Sequence, residues 1–492
     1  MRSAAAPAAP KLTTAVFQGG SVYSHGDLFS VYGDQIGRPI SRESAQAIVS
    51  GLSQLYQRDG YSPPEIRVDD RLAAAGILRV EIYEAQITRV TISGNAGPYR
   101  ARIEALGGEV TNGKPLQRAE LQRVLRSMRE FPGLSINAAT HRDASRRNAY
   151  ELALDAAFHP VEGSVRLSNR GTEEIGPIFV LGQIVTNGLL GGEERLGLVF
   201  TASRETDEYA GLGAFVDVPA GWNGSHGVLM AFKSRSDPTE APTDRNDIYK
   251  RNRISLRFMH PVATESGDSL SFAATLELND LDLERDGSQL REERLRILEL
   301  NGRLGWRSGE KTQYLVTADL RQGLRAFGSE LIAHDLTVDP RRPDFLLLRA
   351  QLTRLTRLNE RWSVRFDGFL QQSGYVLPDD ERFKIGGDRL GRGFEVAEIA
   401  GDQGLGAKVE LRRELSAAGS RFGRTSAYSF YDFGAAWKQD LPGDESAATA
   451  GAGVSLQGKH LAGSLELARP LTHGDVEGKK NAALFAELSC KF

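Results

Sequence analysis

The stretch Phe383-Lys-Ile-Gly-Gly-Asp-Arg-Leu-Gly-Arg-Gly-Phe394 holds the side chains best suited to one specific chemical contact. Arg392 lies between Gly391 and Gly393, shortly after Gly386-Gly387 and the charged pair Asp388-Arg389. Glycines of this kind let the backbone turn tightly against a neighbouring wall, so a guanidinium can be aimed at one fixed partner. The chemistry on offer is recognition by charge-assisted hydrogen bonds, with no bond made or broken. A second residue, Asp432, follows Phe430-Tyr431 in a strand-like segment, and by spacing alone it reads as one more acid on a polar wall. No Gly-x-Ser-x-Gly elbow or Walker loop occurs, and the eight histidines lack ligand spacing such as His-Glu-x-x-His. The expectation is therefore no catalytic residue, no metal and no cofactor.

The elements that position these residues come next. A chain of 492 residues is too long for one ordinary core and predicts two or more domains. Its 61 basic and 64 acidic residues leave a net charge of -3, which argues against a nucleic-acid partner. Mean hydropathy is -0.34 and no run of 18 apolar residues exists, which excludes a transmembrane helix. A membrane barrel stays open, because its strands alternate lipid-facing and lumen-facing residues and look hydrophilic on average. Cys490 is alone, so no intrachain disulfide forms. Residues 1–10 are rich in Ala and Pro and lack a signal-peptide core, so the chain is either a processed form or a protein that is not exported.

Residues 11–160 read as two copies of one β-α-α-β-β unit. In the first (11–84), an opening strand over Lys11–Val22 leads to a short helix over Gly26–Gly37, with Leu28, Phe29, Tyr32 and Ile36 as its apolar face. Ser41 caps a longer helix whose stripe is Ala45, Ile48, Val49, Leu52, Leu55 and Tyr56, ended by Gly60. Strands follow over Glu65–Val68 and Ile77–Tyr83. The second copy (85–160) has a strand over Ile87–Ile92, a helix over Tyr99–Leu106, and a helix opened by Pro115. Phe131-Pro132-Gly133 then breaks the pattern, and strands over Leu134–Thr140 and Ala149–Phe158 complete it. Both helix stripes read as core. The basic run Arg142–Arg147 reads as a solvated turn.

From residue 161 to 492 helical periodicity gives way to alternation. Ile254, Leu256 and Phe258 alternate with Ser255 and Arg257, and Trp362, Val364 and Phe366 with Ser363 and Arg365. The many charges on the polar face and the length of the tract favour a membrane barrel over a soluble sandwich. Leu484 to Phe492 also alternates, and about nine residues at ~3.3 Å reach ~30 Å, enough to cross the ~25 Å apolar band.

Ile385-Gly386-Gly387 and Gly391-Arg392-Gly393-Phe394 resemble the loop-six motif of the superfamily containing the two-partner-secretion (TpsB) transporters, the haemolysin secretion/activation family. Phe430-Tyr431-Asp432 resembles that family's Phe-x-Asp wall motif. Residues 57–61, 92–95 and 131–133 resemble points that recur in its POTRA (polypeptide-transport-associated) domains. The resemblance implies tandem periplasmic POTRA domains followed by a transmembrane antiparallel β-barrel of about sixteen strands. Loop six (about 383–403) would fold into the lumen, where Arg392 pairs with Asp432. Phe492 resembles the terminal signal read by the barrel-assembly machinery. The implied function is passage of one unfolded, secreted exoprotein across the outer membrane, with lipid around the barrel and no ATP or cofactor. The second strands of the modules, Glu65, Ile66, Arg67 and Val68, and Leu134 and Ile136, offer edges to which an extended exoprotein segment can add. Gly391 replaces the family's valine, which predicts a looser tip, and only about ten residues stand where the family usually has a plug helix and linker. Three alternatives remain at this level. An assembly factor of the sister branch usually carries more POTRA modules, a porin-like channel needs none, and a soluble protein needs no detergent.

Overall fold

The computed structural model describes residues 10–172, 175–221, 224–238, 246–262, 264, 268–334, 339–416, 423–472 and 481–492. The expected N-terminal tail, apart from Pro10, lies outside them. Two compact units emerge, Met1–Pro160 and Val161–Phe492.

The first unit contains β1 (Thr14–Gly19), α1 (His25–Tyr32), α2 (Arg42–Arg58), β2 (Glu65–Asp69), β3 (Ile77–Tyr83), β4 (Gln86–Asn95), α3 (Arg100–Val110), α4 (Arg118–Arg129), β5 (Leu134–Asp143) and β6 (Ala149–Phe158). These make two three-stranded sheets, ordered β1-β3-β2 and β4-β6-β5. In each sheet the first pair is parallel and the second antiparallel. A parallel pair needs a long crossover, and each helix pair supplies part of one. The β-α-α-β-β order thus occurs twice, as expected.

Local chemistry explains the helix starts. At α2 the Ser44 N–H donates to the Ser41 hydroxyl at 3.3 Å, and the Ser41 N–H donates back to the Ser44 hydroxyl at 2.9 Å. The helix then lays Ile48, Leu52 and Tyr56 on Leu78, Val80 and Ile82. Ser41→Ala should lower the stability of this unit by about 1 kcal/mol. A lower denaturant midpoint at unchanged slope would be the signature.

Two details depart from expectation. Phe29 and Ile36 are 52% and 41% exposed, whereas Leu28 is buried in the core and Val31 and Tyr32 pack against it. The α-helix ends at Tyr32 and tightens into a 3-10 turn over Gly33–Gln35, which carries Ile36 off the apolar stripe. Also, α4 starts at Arg118, not at Pro115. The Leu116 N–H donates to the Ala85 carbonyl and its carbonyl accepts from the Ser62 N–H, so Leu116 is held extended and the helix begins after it.

In the second unit, sixteen antiparallel strands among the described residues close into a barrel. The short strand Glu330–Ala333 pairs with Arg291–Arg294 and prolongs the position of Thr312–Gly323. Closure joins the last strand, Ala483–Lys491, to the first, Val161–Ser168. Ile254, Leu256 and Phe258 are exposed on the outer surface, as a lipid-facing band requires. Phe492 exchanges backbone hydrogen bonds with Gly163, at 3.0 and 2.9 Å.

Candidate functional site

The sixth connection on its side of the barrel joins the strands Trp362–Ser373 and Gln403–Glu414. It holds a 3-10 turn, Asp379–Glu381, and a small hairpin in which Phe383–Ile385 pairs with Ile399–Gly401. The hairpin is folded by its glycines. Gly386 and Gly387 adopt φ of +118° and +83°, and the Gly387 N–H donates to the Phe394 carbonyl at 3.1 Å. Phe383, Ile385, Leu390, Phe394 and Ile399 form an apolar foot buried against the wall residues Phe369, Ala436 and Ala447. Glycines at 404, 406 and 434 receive this foot, since a side-chain carbon at any of them would run into Phe383, Leu390 or Ile385.

Gly391 corrects the expected loosening of the tip. Its φ of +83° is left-handed, and a Cβ there would lie 2.9 Å from Ile385 Cγ2. Glycine at this position tightens the turn, because valine would be strained in that conformation.

The loop brings Arg392 onto Asp432, as the resemblance implies. Arg392 Nε and Nη2 donate to the two Asp432 carboxylate oxygens at 3.0 and 2.8 Å, and the Arg392 backbone N–H adds a third bond at 3.2 Å. Asp432 is wholly buried and Arg392 nearly so. Strand alternation explains the aim: Tyr428, Phe430 and Asp432 face inward, while Tyr431 and Phe433 are exposed outward. The Phe430 ring lies beneath the guanidinium, 3.4 Å from the ring centroid to the central carbon.

The expected single partner proves to be one of three. Arg392 Nη1 also donates to Glu410 at 3.3 Å and to Glu466 at 3.2 Å. Glu466 accepts in turn from Arg170 at 2.6 Å and from the Tyr428 hydroxyl at 3.0 Å. Arg170 also reaches Asp388 on the loop at 2.7 Å. Glu410, Glu466 and Arg170 had no local sequence signal, because three different parts of the barrel bring them together. Buried Asp402 was missed as well: at the end of the loop it accepts the backbone N–H of Leu377 near its start, which staples the two ends together, and that of Gln439 just after the strand Arg424–Trp437, both at 2.8 Å.

The proposed edge residues fall on β2 and β5, each at the margin of its sheet. Their side chains are not all outward. Leu134 and Ile136 are buried, and Ile66 and Val68 pack on their own core, leaving Arg67 exposed. What β5 offers is backbone. The His159 N–H bonds the Gly133 carbonyl, so by the alternation of an antiparallel ladder Ser135 and Asn137 bond β6, and the Ile136 N–H points to the open edge. On β2, Glu65 pairs with Arg142 at 2.7 Å, and the Arg71 guanidinium holds the Asp69 carboxyl down to about 2.

Comparison with known proteins settles the class. The family model of the haemolysin secretion/activation proteins ShlB/FhaC/HecB matches residues 153–458. The chain belongs to that family. Its fold is similar to that of CdiB from Escherichia coli, with a TM-score of 0.77 at 17% identity, covering 99% of this chain and 91% of that one. CdiB from Acinetobacter baumannii gives a TM-score of 0.63 at 14% identity, with 99% and 91% covered. BamA from Haemophilus ducreyi lacking POTRA domains 1-3 gives 0.56 at 12%, with 98% and 100% covered. No curated protein sequence matches the chain. As a haemolysin secretion/activation family member with this barrel, the protein is a TpsB-type transporter of the outer membrane, and the family and fold are those of a transporter.

Proposed function

We propose that the protein captures an unfolded secreted exoprotein in the periplasm and passes it through the barrel to the cell surface. Residues 11–84 and 85–160 act as two POTRA domains, and 161–492 form the pore. Support comes above all from the buried contact of Arg392 with Asp432, which fixes loop six inside the lumen and so makes the barrel a gated passage. The edge backbone of β5 suits a client that arrives extended, because strand addition reads backbone and tolerates sequence. No nucleotide or cofactor enters the cycle; folding of the client outside gives direction. Phe492, paired with Gly163 at the barrel's closure, serves as the signal read during assembly.

Ile136→Pro tests capture. Proline removes an outward N–H while leaving the bonds of Ser135 and Asn137 to β6. Ile136→Ala, which loses core burial but keeps the N–H, is the control. Secretion of the cognate exoprotein should fall at least ~10-fold with proline, as for one lost backbone bond plus a blocked edge. It should fall much less with alanine, while heat-modifiable mobility shows both barrels assembled. Equal secretion by the two variants would refute capture at β5. Accumulation of other outer-membrane barrels in the periplasm of a deletion strain would favour an assembly factor instead.

A further inference from the structure

Loop six is held a second time, by charges of the opposite sign and on other strands. Before the hairpin, the chain runs Asp379-Asp380-Glu381, and each acid meets arginines of the lumen wall. Glu381 takes a two-pronged contact from Arg321, Nε and Nη2 both at 2.9 Å, and lies 3.3 Å from Arg349. Its backbone carbonyl accepts from Arg349 and from Gln371, both at 2.8 Å. Asp380 accepts from Arg251 at 2.7 Å and from Asn279 at 3.1 Å, with Arg253 at 3.9 Å. Asp379 lies 3.6 Å from Arg291 and 3.9 Å from Arg341. Leu377, just upstream, is buried against Leu295, Ile297, Phe345 and Leu347.

The two anchorages share no wall strand. The tip is gripped by Glu410, Asp432 and Glu466, from the strands Gln403–Glu414, Arg424–Trp437 and Leu461–Pro470. The base is gripped by residues of Asp247–Val262, Ser269–Arg285, Ser288–Ser308, Thr312–Gly323, Leu346–Arg357 and Trp362–Ser373. A positive tip sits among wall acids, and an acidic base meets wall arginines that also pair with wall acids, Arg321 with Glu277 and Glu299 and Arg341 with Glu293 and Asp339, so the loop is strapped to two sectors of the wall. Glu381 is 3% exposed, which makes this base contact a desolvated one that water cannot easily replace.

We propose that Asp380 and Glu381 are positioning residues forming a second latch, and that loop six clears the lumen only when this latch as well as the tip is released. Freeing the tip alone leaves the apolar foot tethered by its base. The arginines of the base site then also define what competes for it: an acidic segment of a polypeptide entering the lumen can take the place of Asp380 and Glu381. This rests on the reading of the barrel as a gated passage, and it can fail without that reading failing, because the test needs no exoprotein.

The purified full chain is reconstituted in planar lipid bilayers, and ion conductance is recorded for wild type, Asp380→Asn with Glu381→Gln, Arg392→Ala, and all three changes together. The open fraction should rise at least ~10-fold in the base variant, the population shift expected when a closed state loses a buried charge pair. The triple variant should exceed either parent. Arg321→Gln, which weakens the same latch from the wall side, should move conductance in the same direction, and it carries the test should the base variant not assemble. A soluble peptide rich in aspartate and glutamate should raise the open fraction of Arg392→Ala, whose tip is already free, and a lysine-rich peptide of equal length should not. Unchanged conductance in folded base and Arg321→Gln variants would overturn the second latch. Equal effects of the two peptides would overturn the competition.

Discussion

Arg392→Ala should reduce secretion to a small fraction of wild type while the barrel still assembles, and it should do more harm than Asp432→Ala. The asymmetry follows from the geometry. Arg392 satisfies three carboxylates, those of Asp432, Glu410 and Glu466. Its removal leaves buried Asp432 with only a backbone N–H from the loop tip in place of a guanidinium, and places three acids near one another without their shared cation. Removing one member of a fully buried pair costs roughly 3–5 kcal/mol, falling towards ~1 where lumen water can enter. Asp432→Ala still leaves Arg392 facing Glu410 and Glu466, so the tip keeps part of its anchorage. A one-to-one pair would make the two single variants equal. The double variant should do no more harm than Arg392→Ala, since the second change removes a contact already gone together with one of the acids left unpaired. Secretion of the exoprotein is the measurement, with heat-modifiable mobility as the assembly control. Equal losses from the two single variants would return the contact to a simple pair, and full activity of Arg392→Ala would end its role as an anchor.

Gly386→Ala should be as damaging, through the backbone alone. At a φ of +118° only glycine is at ease, and a Cβ would collide with the Glu395 carbonyl oxygen and lie 3.1 Å from the Ala397 nitrogen. The atoms in the way are backbone, so no side-chain rotation relieves them. The turn must open, which separates Phe383–Ile385 from Ile399–Gly401 and withdraws the arginine from its nest. Strain of order 1–3 kcal/mol at such a site is added to the lost contacts. Protease added to reconstituted vesicles should therefore cut loop six in Gly386→Ala but spare it in wild type. Gly391→Val should behave alike to a lesser degree, since the nearest obstacle to a Cβ there is the Ile385 Cγ2 methyl at 2.9 Å, a looser clash than the one at Gly386. A protected loop in Gly386→Ala would mean that the turn tolerates a side chain there.

How far these contacts were legible in the sequence differs from element to element. Elements built from neighbours along the chain were readable: the Ser41 cap, the Ile48, Leu52 and Tyr56 stripe, and the alternation around Ile254–Phe258 each carry their own period. Periodicity is a local property, fixed by whether successive side chains turn by a helical or a strand step. Resemblance then supplied what periodicity lacks, pointing to Arg392 and Asp432, forty positions apart. Tertiary structure decided everything that depends on which strands lie side by side. It turned one ion pair into a nest with Glu410 and Glu466, set Asp379–Glu381 against arginines from distant strands, and showed Gly391 to be required by its turn where it had suggested slackness. It also placed Ile136 inward, so that the edge of β5 offers its backbone and not that side chain. The physical reason is that charge and packing act through space, and a closed barrel makes neighbours of residues as far apart in sequence as Arg170 and Glu466.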